Sequence, residues 1–178
     1  RLSFAAEDDV LLRGAAELAR EHKVSHVVSL LDPGSPFPMV REVGERHLRV
    51  EVHDIEEEAE GMDRCCDKRM DAILRFVGDW PRSAPILIHC YAGLSRSTAT
   101  AFITACAHNP DANEEAIALS LREASPHASP NKHFVALADA AMGRAGRMSR
   151  AINAIGPGAN WYDIGENTPF TLPSRFGA

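Results

Sequence analysis

His89, Cys90, Gly93, Arg96 and Ser97 fall within one short stretch, Ile86-Leu87-Ile88-His89-Cys90-Tyr91-Ala92-Gly93-Leu94-Ser95-Arg96-Ser97. Each residue type has a chemical use at that spacing. A thiolate is a good nucleophile toward phosphorus and can form a covalent phospho-enzyme. A guanidinium offers a planar fork to two phosphate oxygens, which a lysine does not. Pro85 to His89 is a short apolar run and predicts a buried strand; Ser95 to Ala107 is apolar nearly all round and predicts a buried helix. A tight loop between them would point backbone N–H groups inward at a helix N-terminus and cradle a dianion. Tyr91, Ala92, Gly93, Leu94, Ser95 and Arg96 are the candidate phosphate-binding positions. Gly93 lets the backbone turn without a Cβ clash. The same positive field favours thiolate at Cys90. None of the other three cysteines has an arginine six residues later.

His89-Cys90-x-x-Gly93-x-x-Arg96-Ser97 resembles HCxxGxxRS, the signature of the protein tyrosine phosphatase superfamily. The resemblance extends from about Val24 to Ala141, with the loop at Cys90 its specific part. It implies that Cys90 is the nucleophile and Arg96 the phosphate clamp. Ser97 resembles the hydroxyl that stabilises the Cys90 thiolate as a leaving group, although a serine at a helix N-terminus needs no further role. His89 resembles the histidine that orients the loop from beneath. The family also places an Asp, the general acid, on a separate upstream loop. Asp54 lies 36 positions before Cys90, just past an alternating stretch that predicts a strand from Leu48 to about His53. Glu56, Glu57 and Glu58 compete with it; His53 is a weaker candidate and is expected to shape the loop. Pro130-Asn131 is similar to a step seen in dual-specificity-type phosphatases and would cap the helix it opens. The wider chain resembles small bacterial tyrosine or dual-specificity-like phosphatases. Lipid phosphatases of the family often carry lysines inside the loop, and this loop has none.

The other elements must position that loop. Periodicity predicts helices over Glu7 to His22, Met62 to Trp80, Glu114 to Ser125 (capped by Asn113) and Asn131 to Met142, the last in the chain. Val24 to Leu31 predicts a buried strand. Strands alternating with helices imply an α/β fold with a mainly parallel central sheet flanked by helices. Residues 1–155 read as one domain and residues 156–178 as an irregular Gly/Pro-rich tail packed on it. Trp161 and Tyr162 of that tail, and the loop Asp32 to Met39, are expected walls of the site.

The bulk composition is that of a globular chain: 178 residues, 45% hydrophobic, 25% charged, net charge −6. That charge disfavours nucleic acid as a partner. No run reaches the roughly 18 apolar residues of a membrane span. Four cysteines with neither a disulfide framework nor a CxxC pattern fit reduced thiols in the cytoplasm. Cys65-Cys66 could be a redox pair for Cys90; the simpler reading puts them on a helix, one inward and one not. No metal or cofactor is implied, and no pattern sets an oligomeric state. The expected substrate is a phosphorylated protein or small phosphate ester. Two other classes remain open: a phosphate-binding module without turnover, and a rhodanese-like or arsenate-reductase-like thiol enzyme.

Overall fold

The computed structural model describes residues 8–160 and 169–177. The chain runs α1 (Asp8–Glu21), β1 (His26–Leu31), β2 (His47–Glu51), α2 (Asp67–Gly78), β3 (Ile86–His89), α3 (Arg96–His108), α4 (Glu114–Ala124), α5 (Lys132–Ala141) and α6 (Arg147–Ile155). The three strands form one parallel sheet in the order β2-β1-β3. All six residues of β1 are buried. A central parallel strand covered on both faces needs no polar alternation, which is why Val27-Val28 and Leu30-Leu31 stand as unbroken pairs. β2 lies at an edge and exposes Glu51.

The two faces of the sheet differ. Val27 and Leu87 pack with Ala15 and Ala19 of α1 and with Val40 and Val43 of the β1–β2 connection. Val28, Leu30, Val50, Ile86 and Ile88 face the main core with Met70, Ile73 and Val77 of α2, Phe102 and Ile103 of α3, and Phe134 of α5. Every residue of α3 from Arg96 to Cys106 is buried. Two of its buried hydroxyls are satisfied within the helix: Thr100 Oγ1 donates to Arg96 O at 2.8 Å and Thr104 Oγ1 to Thr100 O at 2.7 Å.

Two expectations are corrected. The second helix begins at Asp67, not Met62, and ends at Gly78. Residues 62–66 are held instead by the acidic turn: Asp63 N–H donates to His53 Nδ1 at 2.8 Å and Arg64 to Glu56 O at 3.1 Å. Cys65 and Cys66 therefore precede the helix, Cys65 buried and Cys66 exposed. The helix α5 is also not the last. Gly146, at φ +80°, turns the chain into α6, whose Met148, Ala151 and Ile152 are buried against α4 and α5. Asp139 makes that turn specific. Its buried carboxylate accepts from Gly146 N–H at 2.6 Å and Ser149 N–H at 2.9 Å. Beyond α6, Phe170 and Leu172 enter the main core, and Asn109 pairs with the backbone of Ser174 and Phe176. Trp161 and Tyr162 lie outside the described residues. No helix among the described residues is long and apolar enough to cross a membrane.

Two stability predictions follow from the buried polar groups. Asp139→Ala removes the cap of α6 and should cost about 2 kcal/mol, read from urea unfolding. On the α1 face, burial pushes His47 and His89 each from 6.5 down to about 4, with Arg49 and His89 adding to the fall at His47. Between those two pH values the unfolded chain holds more protons than the folded one, so stability drops as pH falls through the window. The urea midpoint should therefore decline from pH 6.5 toward 4, and His47→Phe should make that decline shallower.

Candidate active site

In a parallel sheet all strands end on one edge, and side chains just past those ends meet there. β1 delivers Asp32, β2 delivers Val52 to Asp54, and β3 delivers Cys90. Cys90 is 2% exposed, and its Sγ lies 3.1 Å from Ser97 Oγ in the first turn of α3. Gly93 turns the intervening loop at φ +72°. Tyr91 is exposed at its outer side.

The loop is braced from behind. Leu94 O accepts from Ser129 N–H at 2.8 Å and Thr98 Oγ1 at 2.6 Å; Ser95 O accepts from Thr98 Oγ1 at 2.9 Å and Asn131 N–H at 3.4 Å. Because the trans peptide is planar, the N–H groups of Ser95 and Arg96 point to the opposite side. With the dipole of α3 they make that side of the loop electropositive.

Arg96 is 3% exposed. Burying a guanidinium is costly unless the charge is paired. Its Nη1 donates to Asp32 Oδ1 at 2.7 Å and to Val52 O at 2.6 Å. Its Nε is buried without a hydrogen-bond partner among the described residues, and Asp54 Oδ2 stands 3.9 Å away. Nη1 is pinned, while the Nε–H is buried and unpartnered among the described residues.

The acidic candidates separate by their partners. Asp54 Oδ1 accepts from Ser95 Oγ at 2.7 Å and from Asn131 Nδ2 at 2.9 Å, so it is tied to the loop. Glu56 turns to α5, where it accepts from Lys132 N–H at 2.8 Å. Glu58 pairs with Arg64 at 3.1 Å, and Glu57 is exposed. Asn131 also caps α5 by accepting from Phe134 N–H at 3.0 Å. His53 is engaged by Asp63 in the acidic turn. The sequence-predicted residues Cys90, Arg96, Ser97, Ser95 and Asp54 thus converge.

His89 lies beneath the loop, 1% exposed, with its Nε2 2.6 Å from Ser29 Oγ. Burial pushes the thiols of Cys65 and Cys106 up to about 12, so both are protonated core groups. Asp32 was expected from sequence only as the start of a wall loop, and the Val52 carbonyl, Ser29 and His47 were not singled out. Asp32 carried a readable signal, because it follows β1 directly as Cys90 follows β3. The other three carry no local signal.

No family model and no curated protein matches the sequence. Solved structures do match. The chain is similar to the PTP-2 phosphatase of Cydia pomonella, with 22% identity, a TM-score of 0.58, and coverage of 78% of this chain and 84% of that one. It is similar to human DUSP28, with 20% identity, a TM-score of 0.58, and coverage of 75% and 86%. It is also similar to a human tyrosine phosphatase-like serine/threonine/tyrosine-interacting protein, with 16% identity, a TM-score of 0.55, and coverage of 72% and 83%. The small parallel sheet flanked by helices matches the fold of the protein tyrosine and dual-specificity phosphatases.

Proposed function

We propose that this chain is a cysteine-dependent phosphomonoesterase acting on aryl phosphate, with protein phosphotyrosine as the main substrate class. The observation that carries the reading is Arg96: a buried guanidinium with Nη1 anchored and Nε unpartnered, above a loop that holds Cys90 against Ser97. A phosphate oxygen is the natural partner for that open N–H. The N–H groups of Ser95 and Arg96 supply further donors on the same loop.

The geometry supports the following roles. The Cys90 thiolate attacks phosphorus, forming a P–S bond as the bond to the ester oxygen breaks. Asp54 gives that oxygen its proton. Two hydrogen bonds occupy Oδ1, which leaves Oδ2 as the oxygen free to pass that proton. Water then attacks the phosphocysteine and Asp54 takes its proton. The Cys90 thiolate departs, stabilised by the Ser97 hydroxyl. Asp32 touches no substrate; it holds Arg96 in register and is a positioning residue. Four free thiols fit a reducing compartment such as the cytoplasm.

The second reading is a phosphopeptide-binding module without turnover, favoured by the similarity to a phosphatase-like interacting protein. Turnover of an aryl phosphate decides between them. The purified, reduced chain should hydrolyse it and vanadate should inhibit; binding without turnover selects the second reading. Cys90→Ser should lower kcat by several orders of magnitude. Asp54→Asn should lower it by roughly 10²- to 10³-fold, more for an alkyl than for an aryl ester, because the poorer leaving group depends more on the acid. If both esters lose equally, the acid is elsewhere. Asp32→Ala should raise KM about tenfold with a smaller change in kcat, since one charge-assisted anchor of the clamp is lost.

A further inference from the structure

On the α1 face of the sheet one hydroxyl serves two buried histidines. Ser29 Oγ lies 2.7 Å from His47 Nε2 and 2.6 Å from His89 Nε2. The three side chains come from three strands: His47 from β2, Ser29 from the centre of β1, and His89 from the end of β3, opposite Ser29 in register. His89 is followed directly by Cys90.

We infer that His47, acting through Ser29, fixes the tautomer of His89 and so positions the start of the Cys90 loop. Its bearing on catalysis rests on the reading of Cys90 as a phosphatase nucleophile.

A serine hydroxyl has one proton. Accepting from both rings would leave that proton without an acceptor among the described residues, so the hydroxyl donates to one imidazole and accepts from the other. One ring must then carry its proton on Nε2 and the other must present a bare Nε2. Burial drives the ionisation of both rings down to about 4, so both are neutral near pH 7 and each carries a single proton. The two tautomers are therefore opposite and linked.

The direction of the chain follows from the two Nδ1 atoms, neither of which has a hydrogen-bond partner among the described residues. In one direction His47 Nε2–H donates to Ser29, and Ser29 donates to His89. His47 Nδ1 is then a bare lone pair, and His89 carries its proton on Nδ1, the nitrogen that Ser29 does not engage; the Cys90 backbone next to this ring favours its protonated form. In the other direction His47 would bury an N–H with nothing to accept it. An orphaned donor is rarer in folded proteins than an under-used acceptor. The bonds thus run from His47 through Ser29 to His89 and on toward the Cys90 backbone. His47 touches no substrate and is a positioning residue.

The test is the tautomer itself. The full chain is labelled with 15N in its imidazoles, and long-range 1H–15N spectra are recorded near pH 7. The expected result is His47 protonated on Nε2 and His89 on Nδ1. In His47→Phe, Ser29 loses its donor and is free to accept from His89, so the His89 signals should move toward the Nε2-protonated form. His47→Gln keeps an amide donor for Ser29 and should restore the original pattern. Turnover of an aryl phosphate should fall about tenfold in the Phe variant and recover in the Gln variant. The inference is overturned if both histidines share one tautomer, if His47 is protonated on Nδ1, or if His89 is unchanged in His47→Phe. Should that variant not fold, the wild-type pair and Ser29→Ala, which frees both rings, decide the matter. The spectra read the chain without any activity. Absent turnover with the predicted tautomers would therefore remove the phosphatase reading alone.

Discussion

A cation buried to 3% exposure has to be answered by its surroundings, and much of this structure can be read as the answer to Arg96. Asp32 supplies the counter-charge and Val52 O a second acceptor, both on Nη1. These partners come from the ends of different strands. The sheet must therefore bring β1 and β2 to one edge in register before the guanidinium can be buried at acceptable cost. Because the anchors share one nitrogen, Nε is left without a hydrogen-bond partner among the described residues, with Asp54 Oδ2 3.9 Å away. Stability and ligand recognition are served by separate parts of one side chain.

The same edge sets the state of the loop. Ser95 caps α3 in position only. Its hydroxyl reaches Asp54 and not a backbone N–H of its own helix. The loop carbonyls are taken up by Thr98 and by the 129–131 segment, whose Asn131 also holds Asp54 and caps α5. Asn131 links three segments: its side-chain amide holds Asp54 and caps α5, and its backbone N–H meets Ser95 O. That segment fixes where Asp54 sits relative to the clamp, a distance no short-range rule sets.

Beneath the loop the sheet's two faces have different contents. The main-core face is apolar, whereas the α1 face carries Ser29, His47 and His89 among small residues of the first helix. Buried polar groups raise the cost of any misplacement, since each must find its partner. The neighbour of Cys90 is thereby coupled to the far edge strand.

The strand–loop–helix at Cys90 was legible in the sequence because every part of it is contiguous: the apolar run of β3, Gly93, and the apolar helix after Arg96. Most elements were legible too, since periodicity is a local property. The start of α2 and the existence of α6 were not. The first depends on Asp63 and Arg64 pairing with the acidic turn, and the second on Asp139 reaching across to Gly146 and Ser149. Sequence alone thus determined the nucleophile candidate, the clamp candidate and the class of anion they suit. Only the tertiary structure decided which carboxylate meets the loop, that Asp32 anchors the clamp, and that His47 reaches His89. Those outcomes depend on the strand order β2-β1-β3, which brings distant residues to one edge by packing and hydrogen bonding that no spacing along the chain encodes.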